Sequence, residues 1–276
     1  MTVPVKPVVK WVGGKGRILE ELLTRLPNNY VFYYEVFGGG AALRLALPLK
    51  RYSVVADANH NLIQTYSMIV SDCTSVSAGL VNYRDEYLEG SMQTREAMYY
   101  RIRDEFRQDA PCWQDGPLQA ARFLFLNRTG YNGLYRENQS GEYNVPFGHN
   151  ERPAIVPESL HEFSQALTGT KLMHGDFRKF MVAPKGGDFL YLDPPYDGTY
   201  SSYTGRGFGD ADLQDLGGHC KRFDQMGVYW MLSNSDTLFV REVSKGFRIE
   251  TIMAPRSVSR EGSGRKMVQE LIIRNY

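Results

Sequence analysis

VFYYEVFGGGAALRLALPLKRYSVVAD, residues 31–57, sets the frame for the rest of the chain. Residues 31–37 are β-branched and aromatic, the composition of a buried strand, and they end on Gly38, Gly39 and Gly40. Residues 41–49 have helical composition that Pro48 should stop. Residues 52–56 form a second apolar run that closes on Asp57. Strand, glycine turn, helix, strand and acid is the layout of a nucleotide-binding α/β unit. Glycines at such a turn let the backbone approach a ligand closely. An acid at the end of the next strand can accept from two ribose hydroxyls.

Beyond residue 58 the pattern changes. Residues 61–70, 94–108 and 118–127 have helical spacing with no convincing strand between them, and residues 128–150 are dense in Gly, Asn, Tyr and Arg. Strand-like runs return at 171–174, 189–192, 228–232, 248–253 and 270–274, with a helical stretch at 211–226. The expected fold is α/β: a mostly parallel, Rossmann-like sheet from residues 1–58 and 157–276, interrupted by a mostly helical domain at 59–156 that ends in a long polar loop.

Composition narrows the class without naming a partner. The 276 residues are 42% hydrophobic and 23% charged, ordinary for a globular chain. Lys+Arg is 32 against Asp+Glu 31, so a polyanion would have to be met by local clusters of basic groups rather than by bulk charge. The start, MTVPVKPVVKW, has no apolar stretch suited to a signal peptide, and nothing in the chain is long and apolar enough for a membrane span. Cys73, Cys112 and Cys220 are odd in number and far apart, which rules out a full disulfide framework and offers no zinc-ligand pair. A reducing cytoplasm is the expected setting.

The most specific element is Asp193-Pro194-Pro195-Tyr196, directly after the strand expected at 189–192. Two prolines cannot extend the ladder, and they fix a rigid extended turn. That turn would hold the Asp193 carboxylate and the Pro194 carbonyl as two acceptors facing one point. An aryl amine has a delocalised lone pair, and acceptors on its two hydrogens draw the nitrogen toward tetrahedral geometry and free that pair for an electrophile. Tyr196 adds a ring on which a purine can stack. Near the N-terminus, Lys10-Trp11-Val12-Gly13-Gly14-Lys15 ends like a phosphate loop, but position 9 is not glycine and Gly16 stands where Ser or Thr is needed. A Trp between lysines suits a carboxylate-bearing ligand or nucleic acid instead.

Taken together these residues resemble the Dam-type DNA adenine methyltransferases over nearly the whole chain. The resemblance runs through residues 10–15, 35–41, 56–57, 126–148 (LNRTGYNGLYRENQSGEYNVPFG), 191–196, 232–236 (LSNSD) and 256–271. It implies methyl transfer from S-adenosyl-L-methionine, leaving S-adenosyl-L-homocysteine, to N6 of adenine within GATC in double-stranded DNA. Trp11, Lys15, Asp57 and Asp193 are then expected at the cofactor. Glu35, Phe37, Gly39 and Gly40 would form the loop beneath it, and Asp176-Phe177 would hold its adenine. The target base, flipped out because its amino group is otherwise paired, is expected at Asp193, Pro194 and Tyr196. DNA would be read by Lys10, Arg128, Tyr131, Asn132, Leu134, Arg136, Asn138, Asn144 and Pro146. Arg suits guanine, Asn suits adenine or an orphaned base, and Tyr can wedge between steps. No metal and no covalent enzyme intermediate is implied, and a monomer is expected.

Two positions depart from the family pattern: Ala41 stands where glycine is usual, and His149 where Arg or Lys is common. The rival readings are an N4-cytosine methyltransferase, which uses a related tetrapeptide; a C5-cytosine methyltransferase with Cys112, after Pro111, as nucleophile; an RNA or protein methyltransferase; and an inactive relative that only binds DNA. Asp at the first position of the tetrapeptide and the polar run at 128–148 favour adenine in DNA. Asp57 and Asp193 together favour an enzyme over a binder.

Overall fold

A computed structural model describes residues 4–48, 52–110, 112–196, 208–255 and 267–276. Pro111 and residues 256–266 of the C-terminal resemblance lie outside the described residues. In chain order the elements are α1 (Leu19–Leu23), β1 (Tyr33–Glu35), α2 (Ala42–Ala46), β2 (Ser53–Asp57), α3 (His60–Ser71), α4 (Cys73–Glu89), α5 (Met92–Asp109), α6 (Gly116–Thr129), α7 (Ser159–Leu167), β3 (Thr170–His174), β4 (Phe189–Leu192), α8 (Asp210–Gln225), β5 (Tyr229–Ser235), α9 (Leu238–Val243), β6 (Arg248–Pro255) and β7 (Met267–Arg274).

The strands form a seven-stranded sheet in the order β3-β2-β1-β4-β5-β7-β6. Pairing is parallel from β3 through β5, and β7 is antiparallel to both β5 and β6. The expected mostly parallel α/β sheet is present. Its central strands β1 and β4 are buried on both faces because each face carries its own core. Tyr34, Leu190, Leu192, Trp230, Leu232, Leu271 and Ile273 pack on one side with Leu213, Leu216 and Phe223 of α8. Tyr33, Phe189, Tyr191, Met231 and Ile272 pack on the other with Leu22 of α1 and Leu43 of α2. Alternate residues of one strand thus serve opposite cores, which is why β4 reads as an unbroken apolar run.

The first strand is shorter than residues 31–37 suggest. Its ladder starts at Tyr33 because the Asp188 carboxylate takes the Phe32 amide, at 3.2 Å, where a strand partner would stand. The last two strands are longer than expected at their far ends, and β5 runs on to Ser235.

The chain divides into two compact units. One holds the segment ending at Trp11 together with Asn59–Thr168; the other holds Val12–Ala58 and most of the chain from Gly169 onward, including the sheet. In the first unit each of α3 to α6 opens on a side-chain cap: Asn59, Asp72, Ser91 and Asp115 accept from the amides of Leu62, Ser75, Thr94 and Leu118. α6 is buried almost all round and packs against α3, α4 and α5.

Candidate active site and recognition arm

Strand order decides where a ligand can enter the sheet unit. β1 has β2 on one side and β4 on the other, so their C-terminal ends flank a topological switch point, the usual crevice of an open α/β sheet. The turn after β1 fills that position. The Gly38 amide donates to Ala56 O at 2.8 Å. A Cβ on Gly38 would stand 2.7 Å from Val55 Cγ1, so no other residue fits there without moving β2. Gly39 has φ +45, and its amide donates to Asp57 Oδ2 at 2.8 Å. The next strand end lies alongside, since Asp57 is in register with His174 and its carbonyl accepts from the Gly175 amide at 3.0 Å. Asp176 and Phe177 follow at once. Asp176 caps a single turn by accepting from the Arg178 amide at 2.9 Å, while the Arg178 guanidinium also reaches Asp212 and Asp215 of α8.

Ala41 adopts φ 54 and ψ 32, left-handed backbone that an L side chain adopts at a cost of about 1 kcal/mol or more. This accounts for the glycine usual in the family. His149, the other departure, also lies in that region, at φ 50. Beside the turn, the half-buried Phe37 ring meets Phe177 at 5.3 Å and Phe208 at 5.8 Å between centroids. Phe208 was not expected from the sequence, where a lone Phe after a glycine gives no periodic signal. Aromatic rings, two carboxylates at adjacent strand ends and a turn stripped of side chains fit an adenosine-bearing ligand. Glu35 lies under this turn rather than on its surface. Its buried carboxyl accepts from Tyr33 Oη at 2.8 Å and from the Arg44 amide at 3.2 Å, and burial pushes its pKa up to about 8.

Past the end of β4, Asp193 is the centre of a second cluster. Its Oδ1 receives Lys15 Nζ at 2.7 Å and Ser233 Oγ at 2.9 Å. Ser233 lies 2.9 Å from the Tyr191 hydroxyl, and because it donates to Asp193 it must accept from Tyr191. Burial raises the Asp193 pKa, while the Lys15 ammonium and the Ser233 hydroxyl work against that rise. Lys15 also donates to Gly13 O at 2.6 Å, and its ammonium stands 4.6 Å from the Tyr196 ring centroid. The Tyr196 hydroxyl donates to Glu270 Oε2 at 2.7 Å. Lys15, Asp193 and Tyr196, chosen from the sequence, are therefore in one cluster, with Pro194 buried between the last two. Ser233 and Glu270 are new as single residues. Ser233 was visible only within the LSNSD stretch, and Glu270 only as a strand residue within the 256–271 resemblance.

In the helical unit, residues 129–148 fold back on themselves as an arm. Gly130 bridges Phe147 and Glu137 bridges Tyr143, both antiparallel, with Tyr131 N donating to Pro146 O at 2.9 Å. Tyr143, Val145 and Phe147 are buried, held by α5 through Tyr99 Oη to Val145 O and Arg107 Nε to Tyr143 O. The residues between them turn outward, as a strand requires. Tyr131, Asn132, Arg136 and Pro146 are exposed, and Leu134, Asn138 and Asn144 are half-buried. Arg136 gives Nε to Asn144 Oδ1 at 2.7 Å and Nη2 to Asn144 O at 3.1 Å.

The remaining residues belong to the base of this arm. The Lys10 amide and carbonyl are both held by the Asn127 side chain, at 2.7 and 2.9 Å. A Cβ on Gly133, at φ +65, would collide with the Lys10 side chain, so Lys10 lies against the turn that carries Asn132. Trp11 stacks on Tyr135 with centroids 5.8 Å apart, and Arg128 gives Nε and Nη2 to Val8 O. Burial lowers the Arg128 pKa.

The family described as D12 class N6 adenine-specific DNA methyltransferase matches residues 11–258. Among curated relatives, the chain is 36% identical over 290 residues to the type II methyltransferase M.MjaIII of Methanocaldococcus jannaschii, covering 99% of both chains. It is 32% identical over 266 residues to the retron Ec67 DNA adenine methylase of Escherichia coli, covering 96% of this chain and 90% of that one. It is 29% identical over 272 residues to a DNA adenine methylase of Vibrio cholerae, covering 96% and 94%.

Proposed function

Because the chain belongs to the D12 class of N6 adenine-specific DNA methyltransferases, we propose that it methylates the adenine of GATC in duplex DNA, on a base flipped into the cluster at Asp193. The observation that carries this reading is the Asp193 carboxylate, with Oδ1 tied to Lys15 and Ser233 directly before Pro194.

In this reading Asp193 and the Pro194 carbonyl accept from the two hydrogens of the target amine. Lys15 favours the ionised form of Asp193 against the effect of burial, and in that form the carboxylate acts as an acceptor. Because Oδ1 already carries two donors, Oδ2 is the oxygen that faces the amine. As the nitrogen attacks it gains positive charge, the fixed Asp193 carboxylate offsets that charge without reorganising, and one of the two amine protons then passes to water to leave neutral N6-methyladenine. Tyr196, whose ring lies 4.6 Å from the Lys15 ammonium, would stack the base. Phe37, Phe177, Asp57 and Asp176 would hold the adenosine of S-adenosylmethionine, with Gly39 and Gly40 beneath it, Glu35 bracing the turn, and Trp11 and Lys15 toward its carboxylate end. That cofactor, when bound, supplies an electrophilic methyl group on a sulfonium.

Residues 59–156 are assigned to target recognition and residues 1–58 and 157–276 to catalysis. The exposure of Tyr131, Asn132, Arg136 and Pro146 on the arm supports their role as DNA readers, with the half-buried Leu134, Asn138 and Asn144 among them. Lys10 would approach the duplex from the base of the arm, and Arg128 would brace that base or reach a phosphate.

The test is incubation with methyl-labelled cofactor and duplexes in which each GATC base is varied in turn, followed by nucleoside analysis. Label in N6-methyladenine from GATC alone supports the proposal. Label in N4-methylcytosine, or equal labelling of every substituted duplex, overturns it.

A further inference from the structure

Stacking a purine needs only the face of an aromatic ring, and phenylalanine offers that face without a polar atom to satisfy. Tyr196 nevertheless sends its hydroxyl to a carboxylate on a different strand, Glu270 Oε2 at 2.7 Å. Burial drives the Tyr196 pKa upward, so the hydroxyl keeps its proton and is the donor. Glu270 sits within the ladder of β7, in register with Ser235 of β5 and Ile252 of β6, so its backbone is fixed on both sides. The ring is constrained a second time by the Lys15 ammonium, 4.6 Å from its centroid, and Lys15 is itself bonded to Asp193. One ring is thus located at its tip by a strand and across one face by the ion pair that defines the acceptor site.

We propose that Glu270 is a positioning residue for methyl transfer: it fixes the plane of Tyr196, so that a base stacked on the ring brings its amine to Asp193. Losing the hydrogen bond frees the ring to rotate about its side-chain torsions and misplaces the amine. Misplacement on the order of 1 Å is enough to lower a rate by about a hundredfold while leaving binding in place. The inference rests on the reading of Tyr196 as the stacking residue.

The experiment compares full-length Glu270→Ala, Glu270→Gln, Tyr196→Phe, Tyr196→Ala and the double variant Tyr196→Phe/Glu270→Ala. Each is assayed by single-turnover methylation of a GATC duplex, by cofactor KM, and by fluorescence of 2-aminopurine at the target position. Glu270→Ala and Tyr196→Phe should each slow the single turnover by about tenfold to a hundredfold, with cofactor KM within about twofold. The double variant should be no slower than either single one, because the two substitutions remove the same bond. Glu270→Gln keeps an acceptor oxygen and should restore the rate to within about threefold of the parent. The 2-aminopurine signal should persist in Glu270→Ala and report a less quenched, less stacked base. Multiplying losses in the double variant, or Glu270→Ala at the parent rate, overturns the positioning role. If instead Tyr196→Ala itself turns over normally, the stacking reading fails, and the two failures are told apart by that variant. Glu270→Gln and Tyr196→Phe change few atoms and keep the question answerable if Glu270→Ala does not fold.

Discussion

Asp193 takes its two hydrogen bonds from Lys15 and Ser233, both buried, whereas Arg136 gives both of its bonds to Asn144 in the open. The first arrangement is closed. Each partner has a further fixed partner, Gly13 O for Lys15 and the Tyr191 hydroxyl for Ser233. The second is provisional: an exposed guanidinium resting on a neighbouring amide can exchange those bonds for a ligand at little net cost. Groups that must stabilise charge in a reaction benefit from being fixed beforehand. Groups that must meet a variable surface benefit from bonds that are easily traded.

If that contrast is sound, variants at the two places should fail in different ways. The largest loss is expected for Asp193→Ala, which in the proposed reading removes an acceptor from the reacting amine. Labelled methyl transfer should fall by about a hundredfold to a thousandfold, with duplex binding retained because the arm is untouched. Transfer within tenfold of the parent would show that the chemistry is elsewhere.

Arg136→Ala should come next, and its effect should be on selectivity. A guanidinium paired with guanine O6 and N7 is worth about 1–3 kcal/mol of discrimination. At fixed salt, the ratio of kcat/KM for GATC over a duplex substituted at one outer G·C pair should drop by about tenfold to a hundredfold. A ratio that holds while binding weakens uniformly and the salt dependence flattens moves Arg136 to the phosphate backbone.

A smaller effect with a distinctive pH signature is expected from Ser233→Ala. Burial raises the Asp193 pKa, and donation from Ser233 favours the ionised form, so losing the hydroxyl raises that pKa further. The ionised carboxylate is the active one, so activity should be lost at a higher pH on the acid side, with a rate deficit of about tenfold at neutral pH. Arg136→Ala should leave the acid limb where it is. An unmoved limb in Ser233→Ala would mean that the hydroxyl does not govern Asp193.

The least effect is expected at Cys112, an exposed thiol in the helical unit. Direct attack by nitrogen uses no thiolate, so Cys112→Ser should turn over within about twofold of the parent. A covalent adduct of the protein with DNA containing 5-fluorocytosine would be incompatible with the N6 reading.

The sheet was largely legible because buried strands of a doubly covered sheet are continuous apolar runs, as at residues 189–192. α4 was not read at all. Its core-facing residues are Val76, Leu80, Tyr83 and Tyr87, correctly spaced for a helix, but Ser, Gly and charged residues around them hide the stripe. α7 was not read either, although Leu160, Phe163 and Leu167 keep helical spacing; at nine residues it is short for a periodic signal. At the candidate site the tetrapeptide and the glycine turn were visible because they are contiguous. The bonds that organise them were not, since Lys15, Asp193, Ser233 and Glu270 come from four separate segments, three brought together by strand pairing and Lys15 from the turn before α1. The family resemblance put Trp11 at the cofactor and gave no sign of its stack on Tyr135.

Strand order has a consequence for the making of the protein as well as for its working. β1 and β2 can pair as soon as both are synthesised, with Tyr33 beside Ser53. The outer edge of β2 must then wait for Thr170, and the other edge of β1 for Phe189. Between these events the ribosome delivers α3 to α6, whose contacts with one another are local and can condense early. A nascent chain at that stage carries a two-stranded ribbon of β-branched and aromatic residues with both edges open, the kind of surface on which chains stick to each other or meet a chaperone. The crevice between β1 and β4 is therefore closed late in synthesis. A chain interrupted before Phe189 holds a glycine turn with no tetrapeptide opposite it, and an edge of β1 with nothing to cover it.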